Sequence, residues 1–131
     1  MSKLAILLVD NDTLVYHRLS QILQQDVYLQ RAGSVAEAKQ QLAVTTPDIV
    51  ITEVHFRGAE SGLELCRYIR SVPSLSHLPV MILTSLATIQ DKIAGFNAGA
   101  DDYVVKPFET AHLVARIRLL KRIKHMERQR G

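Results

Sequence analysis

Four charged side chains stand where apolar runs stop. Leu4-Ala5-Ile6-Leu7-Leu8-Val9 ends at Asp10, with Asp12 two residues on, and Ile49-Val50-Ile51-Thr52 ends at Glu53. Farther along, Pro79-Val80-Met81-Ile82-Leu83 leads into Thr84, and Tyr103-Val104-Val105 leads into Lys106. A short run rich in β-branched residues reads as a strand buried on both faces. A charge at the mouth of such a strand lies where open α/β sheets bind their ligands, outside the carboxyl ends of the strands. Brought together, these carboxylates, a hydroxyl and an amine make a charged site and not a core.

The elements that must position them alternate strand and helix five times. Strands are expected at Leu4–Val9, Val27–Ala32, Asp48–Glu53, Pro79–Leu83 and Tyr103–Val105. Between them Leu14, Leu19, Ile22 and Leu23 recur at helical spacing, as do Val35, Ala38 and Leu42, then Leu63, Cys66 and Ile69, then Ile89, Ile93 and Phe96. Glycines and prolines fall at element edges. Repeated βα units of this length imply a parallel sheet with right-handed crossovers and helices on both faces.

A chain of 131 residues fits one domain. No apolar stretch approaches the roughly 20 residues of a membrane helix, and Leu4–Val9 is too short for a signal-peptide core. The single cysteine, Cys66, excludes an internal disulfide, so a reducing, cytoplasmic setting is expected. The five histidines show no metal-ligand spacing. Charge is unevenly spread: residues 116–131 carry seven Lys or Arg against one acid, Glu127, so a basic end (+6) follows a mildly acidic body (−3) within an overall +3. Leu113, Ile117 and Leu120 give the last helix one apolar face. A second stripe, Leu119, Ile123 and Met126, has the spacing of a partner-facing seam, and Gly131 offers a stop. The domain is expected over 1–122, with 123–131 a basic helical extension or the start of a linker.

The quoted runs, together with Ser61-Gly62-Leu63-Glu64-Leu65 and Gly99-Ala100-Asp101-Asp102-Tyr103-Val104-Val105-Lys106-Pro107-Phe108, resemble the response-regulator receiver domains of two-component signalling over nearly the whole chain. The resemblance implies a flavodoxin-like (βα)5 fold with strand order 2-1-3-4-5. It also implies a site in which an acid pair holds Mg²⁺ and an aspartate accepts a phosphoryl group from a histidine kinase. A Thr or Ser and a Lys then bind the phosphoryl oxygens, metal and lysine together neutralising the developing charge. By position the metal residues are Asp10, Asn11 and Glu53, the acceptor position is Glu53, and the phosphoryl-binding positions are Thr84 and Lys106. Thr84 and Tyr103 correspond to the switch residues, and Lys106-Pro107 to a bond that is usually cis in the family.

Two departures follow. Asn11 replaces an acid that touches the metal, which weakens Mg²⁺ binding because this ion prefers carboxylates and water. Glu53 replaces the acceptor aspartate; its extra methylene moves the carboxylate by about an ångström, a displacement that can cost on the order of 100-fold in a reaction built on positioning. The expectation is a pseudo-receiver, not an enzyme, in which Glu53 reaches toward Lys106 and Thr84 and holds the site through a charge-assisted bond. It would act on an effector, often transcriptional, through protein contacts. Two alternatives stand beside it: a Mg²⁺-dependent phosphorelay receiver with Glu53 as a poor acceptor, and nucleic-acid binding through the basic helix, for which no interleaved aromatic or reading motif is present. A nucleotide- or flavin-binding enzyme is disfavoured, since Asp10-Asn11-Asp12 stands where a glycine-rich phosphate loop belongs.

Receivers of this type dimerise through the fourth helix, fifth strand and fifth helix. The matching face here comprises Lys92, Ile93, Phe96, Asp101, Asp102, Val114, Arg116 and Arg118, with opposite charges in Asp102 with Arg116 and Asp101 with Arg118. The usual acidic partner of Lys92 aligns with His112, so one bridge is lost.

Overall fold

A computed structural model describes residues 3–23, 27–58 and 60–130, without the side chains of 125 and 127–130. Strands β1 (Leu4–Val9), β2 (Val27–Ala32), β3 (Ile49–Thr52), β4 (Val80–Thr84) and β5 (Asp102–Val105) alternate with helices α1 (Thr13–Ile22), α2 (Val35–Val44), α3 (Gly62–Ser71), α4 (Ile89–Ala98) and α5 (Thr110–Arg130). The five strands pair in parallel in the order β2-β1-β3-β4-β5. The flavodoxin-like topology expected from the sequence is the one observed.

Because side chains alternate across a strand, the sheet feeds two cores. Leu7, Val9, Val50 and Ile82 pack against α2 and α3 residues such as Val35, Ala38, Leu65 and Ile69. Ile6, Leu8, Ile51 and Met81 pack against Val15 and Leu19 of α1 and Leu113, Ile117 and Leu120 of α5. The lone Cys66 is fully buried in the first core. Strand ends shift slightly from expectation. Asp48 stands outside β3, where its carboxylate accepts from the Ala5 N–H; β4 starts after Pro79 and extends to Thr84, which pairs with Val105.

Caps set the helix starts. Asp12, Ser34 and Ser61 each accept a backbone N–H of the helix they precede, and Thr88 with Asp91 forms a capping box on α4. The periodic stripe Ile89, Ile93 and Phe96 forms a helix face as its spacing predicts, and that face is 71%, 53% and 47% exposed. The inner face of α4 is Gly95 and Ala98. Leu14, counted with the apolar spacing of α1, is likewise exposed.

Helix α5 runs unbroken through the expected domain limit at 122. Its second stripe is open, with Leu119 half-buried and Ile123 and Met126 exposed. Lys124 nevertheless meets Asp101 at 3.0 Å, which ties this part of the helix to the body. The stop expected at Gly131 lies outside the described residues.

Candidate functional site: three strand ends closed by a lysine

The carboxyl ends of β1, β3 and β5 bring Asp10, Glu53 and Lys106 together. Each backbone is fixed by a neighbouring strand: Asp10 N–H donates to Ala32, Glu53 N–H to Val9 and Lys106 N–H to Thr84, at 2.8–3.0 Å. Asp10 is 1% exposed, so its charge needs partners. One oxygen, Oδ1, accepts the Asp12 N–H at 2.8 Å; the other, Oδ2, accepts Lys106 Nζ at 2.7 Å. The same ammonium reaches Glu53 Oε1 at 3.2 Å.

Glu53 also turns back on its own chain. Its Oε2 accepts the Val54 N–H at 2.5 Å, with the His55 N–H farther off at 3.4 Å. Behind it, the start of α3 comes so close that a Cβ on Gly62 would lie 1.9 Å from the Glu53 carbonyl oxygen. Glycine at 62 is therefore a condition of where Glu53 sits.

The electrostatics of Lys106 follow from this enclosure. Burial pulls its pKa down, but the Asp10 hydrogen bond and charge, then those of Glu53, outweigh it and hold the ammonium above its ordinary range.

Thr84 and Tyr103, the expected switch positions, meet through a backbone group. Thr84, 1% exposed, accepts the Leu86 N–H at 3.4 Å, while the Tyr103 hydroxyl donates to the Leu86 carbonyl at 2.8 Å. The Tyr103 ring lies against Gly95 of α4, where a Cβ would meet it at 2.9 Å. Burial, then the charges of Asp91 and Glu53, raise the Tyr103 phenol. The expected reach of Glu53 to Lys106 is present; the hydrogen bonds of its carboxylate go to Lys106 and to Val54 and His55, not to Thr84.

Asn11 and Asp12 part company with the centre. Asp12 caps α1 by accepting the Leu14 N–H at 2.9 Å, and Asn11 is exposed, lining an open cleft of about 340 Å³ with Ser34, Phe56 and Arg57. Sequence reasoning missed Leu86, Gly62 and Arg31, whose guanidinium donates to the Asp10 carbonyl at 2.9 Å. Only Gly62 carried a signal, as the first helical residue after the Ser61 cap.

On the α4–β5–α5 face the acids are engaged within the chain. Asp102 is held bidentately by Arg116 at 2.8 and 2.6 Å. Asp101 pairs with Arg70 at 2.8 Å and Lys124 at 3.0 Å, and also accepts the Val80 N–H; its partners are thus not Arg118. Ile93, Phe96 and Arg118 are exposed, while Lys92 and Val114 are half-buried.

Residues 6–118 match the family described as response regulator receiver domain. This chain belongs to that family. The receiver is 38% identical over 118 residues to response regulator MprA of Mycobacterium leprae (strain TN), covering 89% of this chain and 50% of that protein. It thus spans about half the length of the curated relatives it matches. A crystal structure of a candidate response regulator from Chloroflexus aurantiacus J-10-fl superposes with a TM-score of 0.86 at 38% identity, over 92% of this chain and 98% of the other. The signal receiver domain of a histidine kinase from Syntrophus aciditrophicus follows at 0.81 and 29%, over 89% of each chain.

Receivers typically hold Mg²⁺ at this site, and the donor set here fits that ion poorly. Each oxygen of Asp10 and Glu53 already accepts an N–H or the ammonium, and the remaining family ligand position is a neutral, exposed Asn11. Among the described residues no group of three or more His, Cys, Asp or Glu is arranged to hold a metal, and no helix is long and apolar enough to cross a membrane.

Proposed function

We propose that this receiver is a phosphorylation-independent pseudo-receiver, a signalling module whose site is closed by its own charges. The observation that carries the reading is the Lys106 ammonium bridging Asp10 and Glu53 at 2.7 and 3.2 Å. An ammonium between two carboxylates offsets one of their two negative charges and hydrogen-bonds an oxygen of each. With Glu53 Oε2 turned to the backbone of Val54 and Oε1 on Lys106, both oxygens at the acceptor position are already engaged. Mg²⁺ binding at Asp10, Asn11 and Glu53 is accordingly weak. Such a module acts in the cytoplasm on an effector, often a transcriptional one, through protein contacts.

The output surface in this reading is the α4–β5–α5 face. Its exposed Ile93 and Phe96, flanked by Lys92, Val114 and Arg118, would join two copies in a symmetric dimer. Asp101, Asp102 and Arg116 would support that face from within each chain.

Amide spectra test the reading. Addition of Mg²⁺ and acetyl phosphate should leave the resonances of Thr84, Leu86 and Tyr103 in place. A saturable shift of all three would make the chain a working phosphorelay receiver and overturn the proposal.

A further inference from the structure

Arg18 makes two contacts with Phe108 outside the charged centre. It projects from α1 toward the segment between β5 and α5, where its Nη2 donates to the Phe108 carbonyl at 3.0 Å. Its guanidinium carbon also stands 4.3 Å from the centre of the Phe108 ring. The ring is 7% exposed and packs with Val15, Leu19, Leu113 and Ile117. Phe108 is thus gripped twice by one side chain from 90 residues away, by a hydrogen bond and a cation–π contact.

Phe108 follows Lys106 by two residues, with Pro107 between them restricting the backbone. Upstream, the sheet fixes Lys106 through its N–H to Thr84. Downstream, among the described residues, the first backbone hydrogen bond to another element is that of the Phe108 carbonyl with Arg18. The helix that supplies Arg18 is also capped by Asp12, whose N–H orients the Asp10 carboxylate. One helix therefore steadies both sides of the Asp10–Lys106 contact.

We infer that Arg18 is a positioning residue for Lys106, clamping Phe108 so that the ammonium spans Asp10 and Glu53. The inference rests on the closed-site reading above. It acts by geometry: without the hydrogen bond to its carbonyl the Phe108 backbone gains freedom and the ammonium wanders. The Phe108 ring stays packed in the second core, and the exposed Arg18 leaves no gap in either core.

The test is side-chain order at Lys106, read by ¹³C relaxation at its ε-carbon in the wild-type chain, Arg18→Met and Arg18→Lys. Arg18→Met keeps apolar cover on the ring but loses the donor and the charge; Lys106 order should fall toward that of the exposed Lys121. Arg18→Lys restores a cation and a single donor and should recover part of the loss. If Arg18→Met fails to fold, Arg18→Lys is read alone, with a partial loss expected. Lys106 order equal to wild type in every folded variant overturns the Arg18 assignment and leaves the closed site standing. A Lys106 as mobile as Lys121 in the wild-type chain overturns the closed site, and the inference with it.

Discussion

Lys106 belongs first to Asp10, at 2.7 Å, and reaches Glu53 as a second partner at 3.2 Å. The order matters because Asp10 is the more deeply buried of the two acids, at 1% side-chain exposure against 11%. Removing the lysine leaves two carboxylates facing one another with no cation. Lys106→Met should therefore lose about 3 kcal/mol of stability near neutral pH, the low end for breaking a buried pair. Millimolar Mg²⁺ should restore part of that loss by binding the folded state, and should leave the wild-type melting temperature unchanged. Thermal unfolding of both proteins with and without Mg²⁺ decides it; an equal Mg²⁺ effect on both contradicts the bridging role.

The same contact sets an alkaline limit. The folded-state pKa of Lys106 is raised above its ordinary 10.5, so its contribution is fully present below that value and is lost as pH rises through the folded pKa. The stability difference between wild type and Lys106→Met should be flat through neutral pH and shrink only in strongly alkaline solution. Urea midpoints collected across that range give the curve. A difference that instead collapses between neutral pH and about pH 9 does not fit a raised lysine.

Much of this centre is legible in the sequence. Lys106 announced itself by ending an apolar run before Pro107-Phe108, and Glu53 by ending another. The link between Thr84 and Tyr103 was not legible, because it passes through the backbone of Leu86, and backbone groups carry no residue-type signal. The stripe Ile89, Ile93 and Phe96 showed that α4 is one-sided, but periodicity does not say which side is buried. Here Gly95 and Ala98 permit close approach, and the larger side chains are left outside.

Charges pose a similar ambiguity. Asp102 and Arg116 were candidates for a bond between two copies, yet they pair within one chain. Arg116→Ala should cost about 1 kcal/mol, since its side chain is partly solvated. The loss should be the same at low and high protein concentration. Denaturation at two concentrations far apart checks this; a loss confined to the concentrated sample would place the bridge between copies.

Cys66 gives a prediction away from the site. Burial pushes its thiol pKa up to about 11, with the nearby arginines only partly opposing it, and the side chain is fully enclosed. Since the thiolate is the reactive form, iodoacetamide at mildly alkaline pH should leave the native protein unlabelled. Denatured protein should label fully. Rapid native labelling would mean that the first core opens readily.

The central claim concerns Glu53, and intact mass reads it most directly. The chain is incubated with acetyl phosphate and Mg²⁺ beside Glu53→Gln, and both are weighed. The closed site predicts that the wild-type chain keeps its unmodified mass, as the variant does. A stable single phosphoryl adduct on the wild type, absent from Glu53→Gln, would contradict it and make Glu53 a working acceptor.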